Sequence, residues 1–258
     1  MDLEIGGLRV MVSAGANGIG LEIARAFVRE GARVHVCDID DKALAEIANE
    51  VPGVKATHCD VSDRAQVAAL FKTALADLGG LDCLVNNAGI AGPTGRVEDI
   101  RPEDWDRCLA IDLTGQFNCA RLAIPHLEKS SNASIMNLSS QAGKHGFPLR
   151  SAYAAAKWGV IGFTKSIAME LGARGIRVNA LLPGIVKGDR IRRVFEAKAQ
   201  EKGMSFAEVE AMMFRAVSIK DYVTPQQLAD MVVFAASPRG RTISGQAISV
   251  CGDTNMLN

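Results

Sequence analysis

The sequence predicts an α/β protein built on one doubly wound parallel sheet of about seven strands, with helices on both faces. Short β-branched runs alternate with amphipathic helical patterns along most of the chain. Strands that are buried on both faces form continuous apolar runs, and the helices between them supply the crossovers of a parallel sheet. No break in composition and no internal repeat marks a second domain, so we predict a single domain over residues 1–258.

Strand–helix units follow one another in order. RVMVS (9–13) precedes a helical pattern through IARAFVREG, and VHVCD (34–38) precedes DKALAEIANEV. The other predicted strands are VKATHCD (54–60), LDCLVNN (81–87), ASIMNLSS (133–140), IRVNALLPG (176–184) and AISVC (247–251). The polar, helix-prone segment at 187–221 interrupts this order, and we predict that it is an insertion covering a site.

Bulk composition narrows the class of function. The formal net charge is zero, so no overall field favours nucleic acid or an anionic membrane. No apolar run approaches the roughly 20 residues that span a bilayer, and no basic segment leads into a hydrophobic one at the N-terminus. The six cysteines are scattered without a C-x-x-C pair, so they predict neither disulfides nor a metal site. A cytoplasmic enzyme or binding protein is expected.

A glycine-rich turn, SAGANGIG (13–20), joins the first strand to the first helix. Glycine lets the backbone approach a pyrophosphate, and the helix N-terminus offers free N–H groups to the charge. Gly15, Gly18 and Gly20 are spaced G-x-x-G-x-G rather than G-x-G-x-x-G. The turn therefore indicates a dinucleotide site, with a plain tight turn as the alternative.

Asp38 ends the second strand about 20 residues further on, where an acid can bond the adenosine ribose. A carboxylate there repels the 2′-phosphate of NADP, and neither Ala16 nor Asn17 supplies a compensating cation. NAD is therefore the predicted cofactor and NADP the less favoured one. The alternative is that Asp38 only caps the next helix, a role that Asp40 or Asp41 can fill.

Further motifs occur in one characteristic order across nearly the whole chain: the glycine turn, Asp38, Asp60-Val61, Asn86-Asn87-Ala88-Gly89, Ser140, Tyr153-x-x-x-Lys157 and Pro183-Gly184. In this the sequence resembles the short-chain dehydrogenase/reductase family. The resemblance implies a Rossmann fold and hydride transfer between NAD(H) and a secondary alcohol or ketone. It also implies a homotetramer, paired through the helices around 103–128 and 151–173.

The spacing of Tyr153 and Lys157 suits acid–base chemistry. Four residues apart on a helix, the two side chains lie on one face, and a nearby ammonium favours the tyrosinate form. By resemblance, Tyr153 exchanges the proton, Ser140 orients the substrate oxygen, Lys157 bonds the nicotinamide ribose and Asp112 occupies the active-site asparagine position. The cofactor contacts implied in the same way are Ser13, Gly15, Asn17, Gly18, Ile19, Gly20, Asp38, Ile39, Asp60, Val61, Asn87, Ala88, Gly89, Tyr153, Lys157, Pro183, Gly184 and Val186.

Three positions depart from the family pattern. Ala14 stands where the first glycine is usual, and Gly188 stands where a threonine normally bonds the carboxamide. Asp112 replaces an asparagine that distorts a helix and positions a water near the lysine. If Asp112 lies near Lys157, its charge partly offsets that of the ammonium. We expect the cofactor to bind despite Ala14, activity to survive Asp112, and the nicotinamide to be held more weakly because of Gly188.

The substrate is left open by the sequence. Lys187, Arg190, Arg192 and Arg193 form a basic cluster that either binds a carboxylate or phosphate or is a solvated helix face. Gln141 and Arg150 are further predicted pocket residues. A sugar, polyol or hydroxy acid is the expected substrate, without metal, nucleic acid or membrane. The alternatives are an NADPH-dependent 3-oxoacyl reductase and a non-catalytic NAD-binding protein.

Overall fold

A computed structural model describes residues 2–257 and shows one seven-stranded parallel sheet. The strand order is β3-β2-β1-β4-β5-β6-β7, which confirms the predicted doubly wound α/β fold. The strands are β1 (Arg9–Ser13), β2 (Arg33–Asp38), β3 (Lys55–His58), β4 (Cys83–Asn86), β5 (Ser134–Leu138), β6 (Arg177–Pro183) and β7 (Ala247–Val250). Because β1 pairs with both β2 and β4, the order reverses there and opens a crevice at the carboxyl ends of the strands.

Helices cover both faces of the sheet. They are α1 (Gly18–Arg29), α2 (Asp41–Glu50), α3 (Arg64–Leu78), α4 (Pro102–Leu109), α5 (Gly115–Leu127), α6 (Ser151–Leu171), α7 (Asp189–Lys202), α8 (Phe206–Arg215) and α9 (Pro225–Ala236). One apolar core joins α1 and α9 to one face, through residues such as Phe27 and Val232. A second core joins α3, α5 and α6 to the other face. None of these helices has the length and apolarity that a bilayer crossing requires.

The segment predicted as an insertion contains α7 and α8. These helices pack around a third, separate apolar cluster that includes Phe195, Val209 and Met213. The cluster lies outside the two cores that cover the sheet. The segment therefore keeps its own packing while its first residues leave the carboxyl end of β6, next to the crevice.

His35 on β2 gives the fold a pH-dependent stability. Burial lowers its pKa, although Asp77 opposes this shift with an oxygen 3.1 Å from Nδ1. At pH values below about 6.5, the pKa of an unperturbed histidine, His35 is more fully protonated in the unfolded chain than in the folded one. The free energy of unfolding therefore decreases as the pH falls. The loss amounts to at most about 1.4 kcal/mol per pH unit. Between pH 7.5 and 5.5 the melting temperature should fall less in His35→Asn than in the natural chain. An equal fall in both proteins would contradict the role of His35.

Candidate active site

The turn between β1 and α1 presents an open helix N-terminus. Asn17, the N-cap of α1, makes no side-chain capping bond, so the first N–H groups of the helix are left uncapped. Gly18 has φ +53°, and nothing lies within 4 Å of the position a Cβ would take there. A Cβ on Gly20 would lie 2.0 Å from the carbonyl oxygen of Ala14. Open N–H groups and a close backbone turn fit the pyrophosphate of a dinucleotide.

Ala14 is strained at the position where the family has glycine. Its φ is +48°, in the left-handed region that costs a non-glycine residue about 1–2 kcal/mol. Glycine would relieve this strain, but it also raises the conformational entropy of the unfolded chain. Ala14→Gly should therefore raise the free energy of unfolding by about 0.5–1 kcal/mol. Calorimetric melting tests this, with Ala16→Gly as a control that lowers stability. A lower melting temperature in Ala14→Gly would refute the strain.

Asp38 joins the end of β2 to the glycine turn. Its carboxylate accepts hydrogen bonds from the N–H of Ile39 at 2.8 Å, of Asp40 at 3.2 Å and of Ala16 at 3.2 Å. Asp40, not Asp38, caps α2 by accepting from its first-turn N–H groups. The capping explanation for Asp38 is therefore not needed, and a buried carboxylate stands at the edge of the crevice.

The Asn-Asn-Ala-Gly stretch after β4 is tied to the end of β1. The Ser13 hydroxyl accepts from the N–H of Asn87 and of Ala88, both at 3.0 Å. The Asn87 amide donates to the carbonyl oxygens of Ser13 and Ala14. These contacts hold the ends of β1 and β4 together at the carboxyl edge of the sheet.

Other predicted cofactor residues meet at the same edge of the sheet. Asp60 accepts from the N–H and hydroxyl of Ser62, and the carbonyl oxygen of Val61 accepts from Asn118. Pro183 and Gly184 lie at the carboxyl end of β6, where the Gly184 N–H donates to Val250. Asp60 therefore fixes the local turn after β3 through its bonds to Ser62.

The two serines after β5 differ in their contacts. Ser139 is buried, and its hydroxyl donates to the Lys157 carbonyl oxygen at 2.8 Å. Ser140 is half-buried and accepts from the Ala142 N–H at 3.1 Å, which leaves its own proton to donate. Gln141, a predicted pocket residue, is buried and donates to the Leu182 carbonyl oxygen.

Tyr153 and Lys157 lie on the same helix, α6, as the spacing predicts. Nζ of Lys157 is 5.6 Å from the centre of the Tyr153 ring, and the lysine is only 3% exposed. The ammonium donates to the Leu138 carbonyl oxygen at 3.0 Å. That carbonyl also accepts from Gln116 at 3.0 Å. Sequence reasoning missed this shared acceptor because a backbone carbonyl has no signature in the sequence.

Asp112 pairs directly with the lysine. It lies in a π-helical stretch, Ala110–Thr114, so the predicted helix distortion is present although the asparagine is not. One carboxylate oxygen is 3.3 Å from Nζ of Lys157, and the other accepts from the Ile90 N–H at 2.6 Å. A Cβ on Gly89 would lie 3.3 Å from both charged groups. The carboxylate thus occupies a fully buried place beside the lysine.

The predicted basic cluster does not act as one group. Arg190 is exposed, yet it donates to the carbonyl oxygens of Gly89 at 3.2 Å and Ile90 at 2.8 Å. Arg192 instead pairs with Glu196 at 3.0 Å on the exposed side of α7. The remaining two residues, Lys187 and Arg193, are exposed. Only Arg190 of the four therefore reaches the catalytic residues.

Gly188 has a structural reason to differ from threonine. Its φ is +149°, a conformation that side chains rarely adopt, at the start of α7. The main chain just before it is fixed by a bond from the Lys187 N–H to the Val223 carbonyl oxygen. The backbone near Val186 is thereby held beside the end of β6.

Comparison with known proteins agrees with this geometry. A family model described as enoyl-(acyl carrier protein) reductase matches residues 13–253. The D-beta-hydroxybutyrate dehydrogenase of Cupriavidus necator is 35% identical over 93% of this chain and 95% of its own. The chain belongs to the short-chain dehydrogenase/reductase family. It is accordingly an oxidoreductase of hydroxyl or keto groups that uses a nicotinamide cofactor.

Solved structures of this short-chain dehydrogenase/reductase type share the whole fold. NAD+-bound xylitol dehydrogenase superposes with a TM-score of 0.92 at 27% identity, over 96% of this chain and 99% of its own. An actinorhodin polyketide ketoreductase with NADPH gives 0.90 at 32% identity, over 95% and 96%. Solved relatives therefore contain either NAD+ or NADPH, and the choice in this chain depends on its own residues.

Proposed function

We propose that the protein transfers a hydride between NAD(H) and a secondary alcohol or ketone, with a sugar, polyol or hydroxy acid as substrate. The supporting observation is the joint placement of Tyr153 and the buried Lys157 on one helix, beside the end of β5 where Ser140 lies. The open glycine turn and Asp38 lie at the same edge of the sheet. A protein that only binds NAD has no need of the proton-transfer residues, so their presence beside the dinucleotide site favours an enzyme.

The residues divide the reaction between them. The nicotinamide, when bound, takes up or supplies the hydride. The Ser140 hydroxyl donates a hydrogen bond to the substrate oxygen and fixes its position. Tyr153 takes the hydroxyl proton as the alcohol becomes a ketone and returns a proton in the reverse direction. Lys157 holds the nicotinamide ribose hydroxyls, and the glycine turn holds the pyrophosphate.

The preference for NAD rests on Asp38. Its carboxylate is the group nearest the adenosine ribose in this proposal, and a 2′-phosphate there would face a like charge. We expect NADH to bind about 100-fold more tightly than NADPH. Asp38→Asn should reduce that ratio at least tenfold. The matched control is Asp41→Asn, because Asp41 is exposed and, among residues 2–257, forms an ion pair with His58 alone.

Titration of both reduced cofactors into the three proteins measures the ratio, and a substrate panel follows the absorbance of NADH and NADPH. Equal affinity of the natural chain for both cofactors would remove the proposed NAD preference. It would favour the alternative of an NADPH-dependent 3-oxoacyl reductase, in line with the cofactor of the ketoreductase relative.

We propose a homotetramer as the assembly. Three large apolar side chains stand exposed on the outer faces of α5 and α6: Phe117 at 42%, Trp158 at 53% and Met169 at 87%. Apolar surface of this kind favours contact with another chain. Light scattering after size exclusion gives the mass, and Trp158→Glu should reduce it.

A further inference from the structure

We propose that Arg150 and Arg190 form an anion subsite that selects hydroxy acids and their oxo acids, with the substrate carboxylate held beside Tyr153. This proposal rests on the proposed function and narrows its three substrate classes to one. It assigns specificity to charge, since the proton chemistry of Tyr153 is the same for all secondary alcohols.

Arg150 is a buried cation without a matching anion. It is 2% exposed, and its guanidinium stacks between two rings, 5.2 Å from the centre of Phe147 and 4.8 Å from that of Tyr153. The one hydrogen bond that its guanidinium makes among the described residues runs from Nη2 to the Ala91 carbonyl oxygen. Nε is buried and bonds nothing in that part of the chain. Most of its donor capacity is unused.

Arg190 brings a second guanidinium to the same ring from a different element. Its Cζ lies 5.8 Å from the centre of Tyr153, while its two terminal nitrogens bond Gly89 and Ile90. Neither arginine forms an ion pair with a carboxylate among residues 2–257. Asp112, the acid near this site, is already paired with Lys157.

The charges near Tyr153 are therefore unbalanced toward positive. Lys157 is neutralised by Asp112, and the two arginines remain. Burial lowers the pKa of Arg150, which reflects the cost of holding this charge away from water. A bound carboxylate would offset that cost and use the free donors of the planar guanidinium. A neutral polyol would leave both charges unpaired, so it should be rejected.

Matched substrates test the charge directly. We would compare (R)- and (S)-3-hydroxybutyrate with 3-hydroxybutyramide, which has nearly the same shape without the charge, and with xylitol. The sulfonate 2-hydroxypropane-1-sulfonate distinguishes a carboxylate from another anion. The acid should exceed its amide in kcat/KM by at least about 100-fold, because the amide leaves the buried cation without a charged partner.

Variants locate the effect. Arg150→Met should lower kcat/KM for the acid by about 100-fold, mostly through KM, and lower it much less for the amide. Arg190→Met should act in the same direction but less, because Arg190 is more exposed. Arg192→Met is the control, because this arginine pairs with Glu196 on the outer face of the same helix. Melting temperature and NADH affinity verify that each variant folds.

The outcomes separate the subsite from the proposed function. Turnover with equal efficiency on acid and amide, or an equal loss on both in Arg150→Met, overturns the anion subsite and leaves the oxidoreductase intact. A sulfonate preferred over the carboxylate overturns the choice of hydroxy acid. If neither substrate turns over, acetoacetate binding is measured by melting of the NADH complex. Protection that is lost in Arg150→Met supports the subsite, and no protection of the natural chain overturns it.

Discussion

Tyr153→Phe should lower kcat by about 10³-fold, because the substitution removes the hydroxyl that exchanges the substrate proton and keeps the ring. The ring holds the stacking contact with Arg150, so the fold and the binding of NADH should change little. Steady-state rates with the substrate found in the panel, together with NADH titration, measure both effects.

The chain offers a matched control for this variant in its other tyrosine, Tyr222. The Tyr222 hydroxyl donates to Glu210 within the segment that contains α7 and α8. Tyr222→Phe should keep kcat within about threefold of the natural chain. A Tyr153→Phe protein that retained the natural rate would place the proton transfer on another group and remove Tyr153 from the mechanism.

Asp112→Ala should lower the free energy of unfolding by about 3–5 kcal/mol, because it leaves the Lys157 ammonium buried without its counter-charge. It also leaves the Ile90 N–H without its acceptor. For a chain of this size the loss corresponds to a melting temperature lower by about 10 °C. Chemical denaturation and calorimetry on the purified protein measure the change.

Asp112→Asn separates the charge from the hydrogen bond. An amide oxygen still accepts from the Ile90 N–H, so the stability loss should be less than half that of Asp112→Ala. We expect kcat within about tenfold of the natural chain, since the Leu138 carbonyl still holds Lys157. A gain of many orders of magnitude would show that the natural carboxylate suppresses activity.

Features with a period or a fixed order were predictable from the sequence. Alternating apolar runs and helical patterns gave seven parallel strands, although five of the predicted strands, 54–60, 81–87, 133–140, 176–184 and 247–251, extend past the observed β3 to β7. In the first two of these the last residues, Asp60 and Asn87, leave the ladder and bond neighbouring backbone turns. Hydropathy alone does not mark where a strand stops pairing.

Contacts between distant residues were harder to predict. The sequence places Asp112 near Lys157 only through the family pattern, and the ion pair itself depends on a π-helical stretch that no composition signals. Arg190 and Arg192 are two residues apart and have the same chemistry, yet one bonds the backbone at the site and the other pairs with Glu196. Helix orientation on the sheet decides which side each one faces.

The Ile90 backbone is hydrogen-bonded to two different parts of the fold. Its N–H donates to the buried Asp112, while its carbonyl oxygen accepts from Arg190 on α7. Displacing α7 would therefore break the bonds that Arg190 makes to this backbone, while the bond to Asp112 keeps the Ile90 N–H in place beside Lys157.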